Sequence, residues 1–140
     1  MRRPTGDAGN AMIEFSTLAV LLMVPLVYVL LSVFEVQRAS FGVTEAARQA
    51  GRAYATAEDP AQGRARAAAA AALAMRDQGL DCDHCLTGLT GSLTPDAEVT
   101  ATVEHFVRLP LVGTVLGRAR GGIPVDATHV EVVDRFRSPG

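Results

Sequence analysis

The sequence contains no lysine, only two cysteines and only one long apolar run. All 13 basic residues are arginine, and with 15 acidic residues they leave a net charge of −2 and a pI near 5.9. This balance produces no general positive field, and no basic and aromatic module of the usual kinds is present, so we expect no nucleic-acid partner. The arginine bias is typical of a GC-rich genome and indicates no function.

Recognisable catalytic motifs are also missing. The three histidines, His84, His105 and His129, have no serine or acid at the spacing of a known catalytic motif. Gly121 and Gly122 lie between predicted strands, whereas a phosphate-binding glycine loop opens a helix. We therefore expect a protein that is not an enzyme, with no cofactor, no metal site and no small-molecule substrate.

The apolar run extends from Phe15 to Phe34, which is 20 residues without a charge. A helix of this length covers about 30 Å, the thickness of a bilayer's hydrocarbon core. The run from Leu109 to Leu116 is too short to cross a second time. The sequence therefore predicts one transmembrane helix, at 10–34, in contact with membrane lipid. Pro25 is tolerable within it, because neighbouring groups can satisfy the carbonyl that it leaves without a donor.

A cleaved secretory signal is the competing interpretation of this run. Such signals have an apolar region of about 7 to 15 residues and end in a small-x-small site. The segment Glu35–Ser40 offers no such site. Arg2 and Arg3 precede the run with only Asp7 opposing them, and positive charge favours the cytoplasmic side. We expect a single-pass protein of the cytoplasmic membrane, with its N-terminus in the cytoplasm and its C-terminus outside.

The helical pattern continues after the apolar run. Small apolar residues recur at steps of three and four and form a stripe separate from the charged positions. The stripe consists of Val36, Ala39, Val43, Ala46, Ala50 and Ala53. The pattern predicts one helix from Ala11 to Ala57. Two interpretations of the stripe stay open, namely packing within the same domain and binding of another helix.

A second, alanine-rich helix follows a break in the chain. Asp59 is a suitable N-cap, Pro60 suits the first helical position, and Gln62 stands where a capping box places its partner. Gly79 can adopt the left-handed conformation that ends many helices. We therefore expect the region 35–79 to be helical.

The C-terminal part is rich in β-branched residues. Alternation of apolar and polar residues predicts a strand over Val99–Val107, and a second strand is expected over Ile123–Phe136. The valines of the second strand change parity, which predicts a bulge near Thr128 or His129. Leu109–Gly122 would form the connecting loop. The predicted fold is α+β, with two helices followed by a small antiparallel sheet or hairpin.

Cys82 and Cys85, within CDHC, form the only cluster that resembles a reactive site. Haem attachment would need a histidine where Leu86 stands, and a thioredoxin-like site would need a βαβ context. A zinc site would need two further ligands, and His105 and His129 do not have finger spacing. The ordinary interpretation is a structural disulfide in an oxidising compartment, with free or regulatory thiols as the alternative.

Glu14 is a carboxylate immediately before the apolar run, in the sequence GNAMIEF. An ionisable residue at the edge of a membrane segment needs a partner, and the obvious partner is an amine. A cut between Gly9 and Asn10 would create an ammonium at Asn10. Glu14 would then lie one helical turn from that ammonium, or beside the ammonium of a neighbouring molecule.

This arrangement resembles the class III signal of type IV pilins and pseudopilins, which has a short basic leader ending in glycine, a cut, glutamate at the fifth mature position and a long apolar helix. Gly9, Glu14 and Phe15 match that signal, and the Glu-Phe pair is similar to the signature of the Flp or tight-adherence (Tad) branch. The segments VPLVYVLLSVFEVQRASF, TEAARQAGRAYA and VRLPLVG resemble TadE-like pilus-assembly proteins.

The resemblance implies processing by a prepilin peptidase between Gly9 and Asn10, and subunit assembly through Glu14 and Phe15. The implied partners are other pilin-like subunits and the Tad assembly machinery. A minor pilin or pseudopilin is implied, since the chain after the span is much longer than in the major Flp pilin. The expected segments are a leader at 1–9, a transmembrane helix at 10–34, a helical region at 35–79 and a cysteine-containing, β-rich region at 80–140.

Two alternatives remain at this stage. In the first, the chain is a plain single-pass anchor, no peptidase acts, and Glu14 extends to the lipid headgroups. In the second, the anchor carries an extracytoplasmic redox or metal-binding accessory module that uses Cys82 and Cys85.

Overall fold

The computed structural model describes residues 7–108 and 122–136. These residues form two helices and a three-stranded antiparallel sheet, which confirms the predicted α+β class. The elements are α1 (Asp7–Ala55), α2 (Pro60–Asp77), β1 (Leu86–Thr90), β2 (Glu98–Arg108) and β3 (Gly122–Val132). The chain divides into two compact units, Met1–Phe34 and Glu35–Gly140, and each is described by itself.

The first unit contains the apolar part of α1. Its large apolar side chains are exposed along the whole run, and among the described residues this is the one helix long and apolar enough to cross a membrane. Single-pass membrane anchoring is consistent with this helix. Helix α1 extends from Asp7 to Ala55, against a predicted Ala11 to Ala57.

The stripe of small residues in the second unit is buried within that unit. It forms one core with residues of α2 and the sheet, and the buried residues that α1 contributes are Ala39, Val43, Ala46, Ala47, Ala50, Tyr54 and Ala55. Two glycines permit the close helix contacts. A Cβ on Gly42 would stand 2.7 Å from Leu80 Cδ1, and one on Gly63 would stand 2.9 Å from Tyr54 Cδ2. Of the two interpretations of the stripe, packing within the domain is therefore the one observed.

Helix α2 has the N-cap and the C-terminal ending that the sequence predicts. The Asp59 side chain accepts hydrogen bonds of 2.9 Å from the N–H groups of Ala61 and Gln62, which satisfies two of the donors left free at a helix start. Gly79 has φ +67, and the following N–H of Leu80 donates to Met75 O at 3.0 Å. This is a Schellman ending, and the chain leaves the helix directly toward the cysteines.

The sheet has the order β1-β2-β3, and its central strand supplies most of the buried surface. Val99, Ala101, Val103 and Val107 of β2 are buried in the core, as their alternation predicts. Strand β1 is not predicted from the sequence. Its segment LTGLT contains a glycine and no clear alternation, so pairing with β2 decides its conformation.

The prediction of a bulge near Thr128 or His129 is wrong. The pairing of β2 with β3 is regular from Glu98 opposite Val132 to Arg108 opposite Gly122. The irregularity lies instead between β1 and β2, where the register shifts between Leu86 and Gly88 of β1.

Alternation along β3 continues without a break because the inward positions include polar residues. Val125, Ala127, His129 and Glu131 are all partly buried, whereas Val130 and Val132 lie exposed on the opposite face. On this inward face His129 and Glu131 lie over Gly51 of α1, and a Cβ on Gly51 would stand 3.4 Å from His129 Cδ2 and 3.5 Å from Glu131 Cβ.

Strand β3 ends at Val132, four residues before the predicted end at Phe136. Val133 is buried and its N–H donates to Ala97 O at 2.9 Å, after which residues 135 and 136 form a turn. The predicted loop of Leu109–Gly122 lies outside the described residues except for Gly122, which begins β3.

Candidate functional site

The junction between Gly9 and Asn10 lies in the first turn of α1, which begins at Asp7. The first four N–H groups of a helix lack helical acceptors, so this turn is held less firmly than the turns that follow. Opening one terminal turn would therefore expose the peptide bond after Gly9 while the apolar part of α1 stays helical.

Glu14 lies on the surface of α1, one turn after Asn10. Its neighbours in sequence are apolar and exposed, with Phe15 73% and Ile13 68% accessible. No ion-pair partner of Glu14 is found among the residues that the structure describes. The helix therefore presents a carboxylate beside apolar side chains without neutralising it, and an external cation can reach it.

The serine and threonine side chains of the apolar run are satisfied by the helix itself. Ser16 Oγ donates to Met12 O at 2.8 Å, and Thr17 Oγ1 donates to Ile13 O at 2.8 Å. Ser32 makes the same kind of bond to the residue four positions earlier. Hydroxyls bonded in this way can enter a membrane at low cost, since they leave no donor unpaired. Glu14 differs from them because a carboxylate has no proton to donate to the backbone.

Cys82 and Cys85 are joined in a disulfide, with their Cα atoms 5.0 Å apart. The pair occupies the short connection between the end of α2 and the start of β1. Cys85 is only 4% exposed, and its carbonyl accepts a 2.8 Å hydrogen bond from the N–H of Glu104 in β2. His84, between the cysteines, has φ 61, a conformation uncommon for a residue with a side chain. The disulfide fastens the crossing from helix to sheet.

An open depression of about 610 Å³ lies beside this disulfide, within the second unit. Charged groups of both signs line it, among them Arg38, Glu104 and Arg108, together with His84 and His105. In the described part of the chain, no three side chains of histidine, cysteine, aspartate or glutamate are grouped as metal ligands. The depression has mixed polarity and presents no set of groups arranged for one reaction.

The structure adds a polar side-chain contact that the sequence did not predict. His129 Nε2 and Glu131 Oε2 are 3.3 Å apart on the inward face of β3, and both side chains are about one third exposed. Residues two apart on a strand share a face, so the spacing of His129 and Glu131 was the signal from which this contact could have been predicted. The contact was not predicted because the valines of β3 were expected to face inward on both sides of a bulge.

The structure leaves the two predicted sites in separate units. The cleavage and assembly residues belong to Met1–Phe34, and the cysteines belong to Glu35–Gly140. Comparisons with protein-family models, with curated proteins and with solved structures found no match to this chain.

Proposed function

We propose that the protein is a membrane-anchored, TadE-like pseudopilin or minor pilin that takes part in assembly of a Flp/Tad-type pilus. The observation that carries the proposal is Glu14, an exposed carboxylate at the start of an apolar helix, without an ion-pair partner among the described residues. The proposed role is structural, and the protein catalyses no reaction.

Processing would supply the missing partner. A prepilin peptidase cuts between Gly9 and Asn10 and leaves an ammonium at the start of the mature helix. On the same chain that ammonium lies one turn from Glu14, and on a neighbouring chain it can approach from the side. Pairing with it removes the cost of holding an isolated carboxylate beside lipid.

Phe15 and the exposed apolar residues after it provide the surface that such a neighbour would contact. Packing in lipid depends on close contact and on satisfied polar groups, because lipid is as apolar as the side chains themselves. A charge pair at one depth of the membrane therefore sets the relative position of two otherwise similar apolar helices. Glu14 would fix this relative position of the helices of pilin-like subunits in the Tad machinery.

The orientation follows from the leader. Arg2 and Arg3 favour retention of the N-terminus in the cytoplasm, where a prepilin peptidase meets its substrates, and the unit from Glu35 onward then lies outside. An oxidising exterior suits the Cys82–Cys85 disulfide. Location in the cytoplasmic membrane and incorporation in a pilus are both part of this proposal.

Intact mass of the membrane-extracted protein tests the processing step. In cells that carry a prepilin peptidase, we expect loss of the nine residues that end at Gly9. A Gly9→Leu variant should keep these nine residues, because it places a bulky side chain immediately before the cut. A Gly6→Leu variant is the matched control and should be processed normally.

Recovery of the uncut protein from those cells would overturn the proposal and leave the plain anchor or the anchored redox module. Loss of the same residues in cells that lack the peptidase would attribute the cut to another protease and would also contradict it.

A further inference from the structure

Strand β3 forms one edge of the sheet. No segment among residues 7–108 and 122–136 pairs with its outer side. The opposite edge, β1, has five residues and an irregular register, whereas β3 has 11 residues in regular register. A long, regular edge presents a row of N–H and C=O groups to which another strand can add.

The backbone groups on this edge can be identified from one hydrogen bond. The N–H of Val133 donates to Ala97 O, on the side of β2. Successive residues of an antiparallel strand direct their backbone groups alternately to the two sides. Odd-numbered residues of β3 therefore face β2, and Thr128, Val130 and Val132 direct their N–H and C=O groups to the outer edge.

We propose that β3 pairs with β3 of a second copy of this chain, antiparallel and about a two-fold axis at Val130. Val130 then lies opposite Val130 of the second copy, and Thr128 lies opposite its Val132. These valines are 49% and 55% exposed in the single chain, so the pairing also covers apolar surface on the outer face of the sheet. This inference is independent of the pilus proposal.

The pairing of hydrogen-bonding side chains selects this register. His129 and Glu131 share the inward face of β3, and a two-fold axis at Val130 places each His129 opposite Glu131 of the other copy. An imidazole directly opposite a carboxylate can form a hydrogen bond across an antiparallel pair, whereas two carboxylates directly opposite each other repel. The two-fold axis therefore creates two equivalent His129–Glu131 contacts between the two strands.

Neighbouring registers lack this property. An axis at His129 places that histidine opposite itself, and an axis at Thr128 places Glu131 opposite Val125 of the other copy. In the proposed register Asp126 lies opposite Asp134, which follows the end of β3. Like charges directly opposite each other are destabilising, so the paired segment is limited to residues 128–132.

Cysteine cross-linking of the full-length protein in its membrane tests the pairing. With a cysteine in place of Val130, a reagent that joins thiols about 5 Å apart, one strand spacing, should link two copies efficiently. Thr100→Cys is the matched control, because Thr100 is the partner of Val130 on β2 and lies on the same face. Two such cysteines would be three strand spacings apart, or about 14 Å, and should link severalfold less.

Equal linking at the two positions would indicate random collision and would overturn the proposal. A maximum at Thr128→Cys would overturn the register.

A charge exchange tests the cross-strand pairs. Copies that carry Val130→Cys with His129→Glu should link poorly to each other, and so should copies that carry Val130→Cys with Glu131→Arg. Coexpression of the two should restore linking between unlike copies, identified by tags of different size, because each carboxylate then faces an arginine or a histidine. Each variant should resist protease as well as the parent protein does, which shows that it is folded. A variant that is less resistant is replaced by one that carries His129→Gln. No preference for unlike copies would contradict the proposed register.

Discussion

The unit Met1–Phe34 and the unit Glu35–Gly140 place their apolar residues in opposite ways. In the first, a helix exposes almost every large apolar side chain and satisfies its serine and threonine hydroxyls in the apolar run through bonds to its own backbone. In the second, alanines, valines and one methionine are buried between two helices and a sheet. Stability of the first unit therefore comes from its surroundings, whereas stability of the second comes from contacts between distant parts of the chain.

Substitution of two methionines, one in each unit, should show most strongly how the exposed and the buried apolar residues differ. Met75 is fully buried and Met23 is 57% exposed. Met75→Ala should lower the free energy of unfolding of the second unit by about 2 to 5 kcal/mol, because the cavity cannot fully collapse. Met23→Ala removes a side chain of the same size and should leave that stability unchanged.

The measurement for both methionine variants is proteolysis of the membrane-bound protein across a urea series. Equal midpoints for the two variants would mean that the buried core does not determine the stability of the second unit.

A smaller effect is expected at the proposed contact between the first unit and a neighbouring subunit. Glu14→Gln keeps the size of the side chain and removes its charge, so association with other pilin-like subunits should weaken while cleavage and insertion persist. Deleting one partner of a dehydrated ion pair costs about 3 to 5 kcal/mol, and a site at the membrane edge should cost less. Even 1.4 kcal/mol is about a tenfold change in an association constant.

Copurification measures that association, with intact mass to verify removal of the leader. Recovery of subunits at the wild-type level would reduce Glu14 to a residue that only extends toward the headgroups. Glu35→Gln is the control, since Glu35 is paired with Arg38 in the second unit.

The smallest effect concerns a contact that is local in sequence but belongs to the packed unit. Asp59→Ala removes two hydrogen bonds at the start of α2 and should destabilise the second unit by about 1 kcal/mol. Glu58→Ala, one residue earlier, should have little effect. The same urea series resolves the two, and equal midpoints would show that the cap contributes nothing measurable.

Elements with a local cause were predictable from the sequence. The cap at Asp59 and the left-handed ending at Gly79 depend on residues within one turn of the helix. The alternation of β2 was clear because four of its inward residues, Val99, Ala101, Val103 and Val107, are apolar. Strand β1 was missed because its segment has no pattern of its own and is extended only through pairing with β2.

The candidate sites divide in the same way. The resemblance that names Gly9, Glu14 and Phe15 is carried by a short motif next to an apolar run, and packing plays no part in recognising it. The close approach of Cys82 and Cys85 was expected from their spacing, and their disulfide lies where α2 leads into β1. The edge of β3 is different, because no pattern along the chain states which strand lies at the end of a sheet.

By itself, the sequence determined the apolar helix, the caps of α2, the parity of β2 and the α+β class, because each depends on neighbouring residues or on composition along one element. Tertiary structure alone decided that the stripe of small residues on α1 is buried within its own unit, and that β3 faces inward with His129 and Glu131 and outward with Val130 and Val132. The physical reason is that pairing with β2 in one regular register fixes which residues of β3 face inward, whatever their polarity.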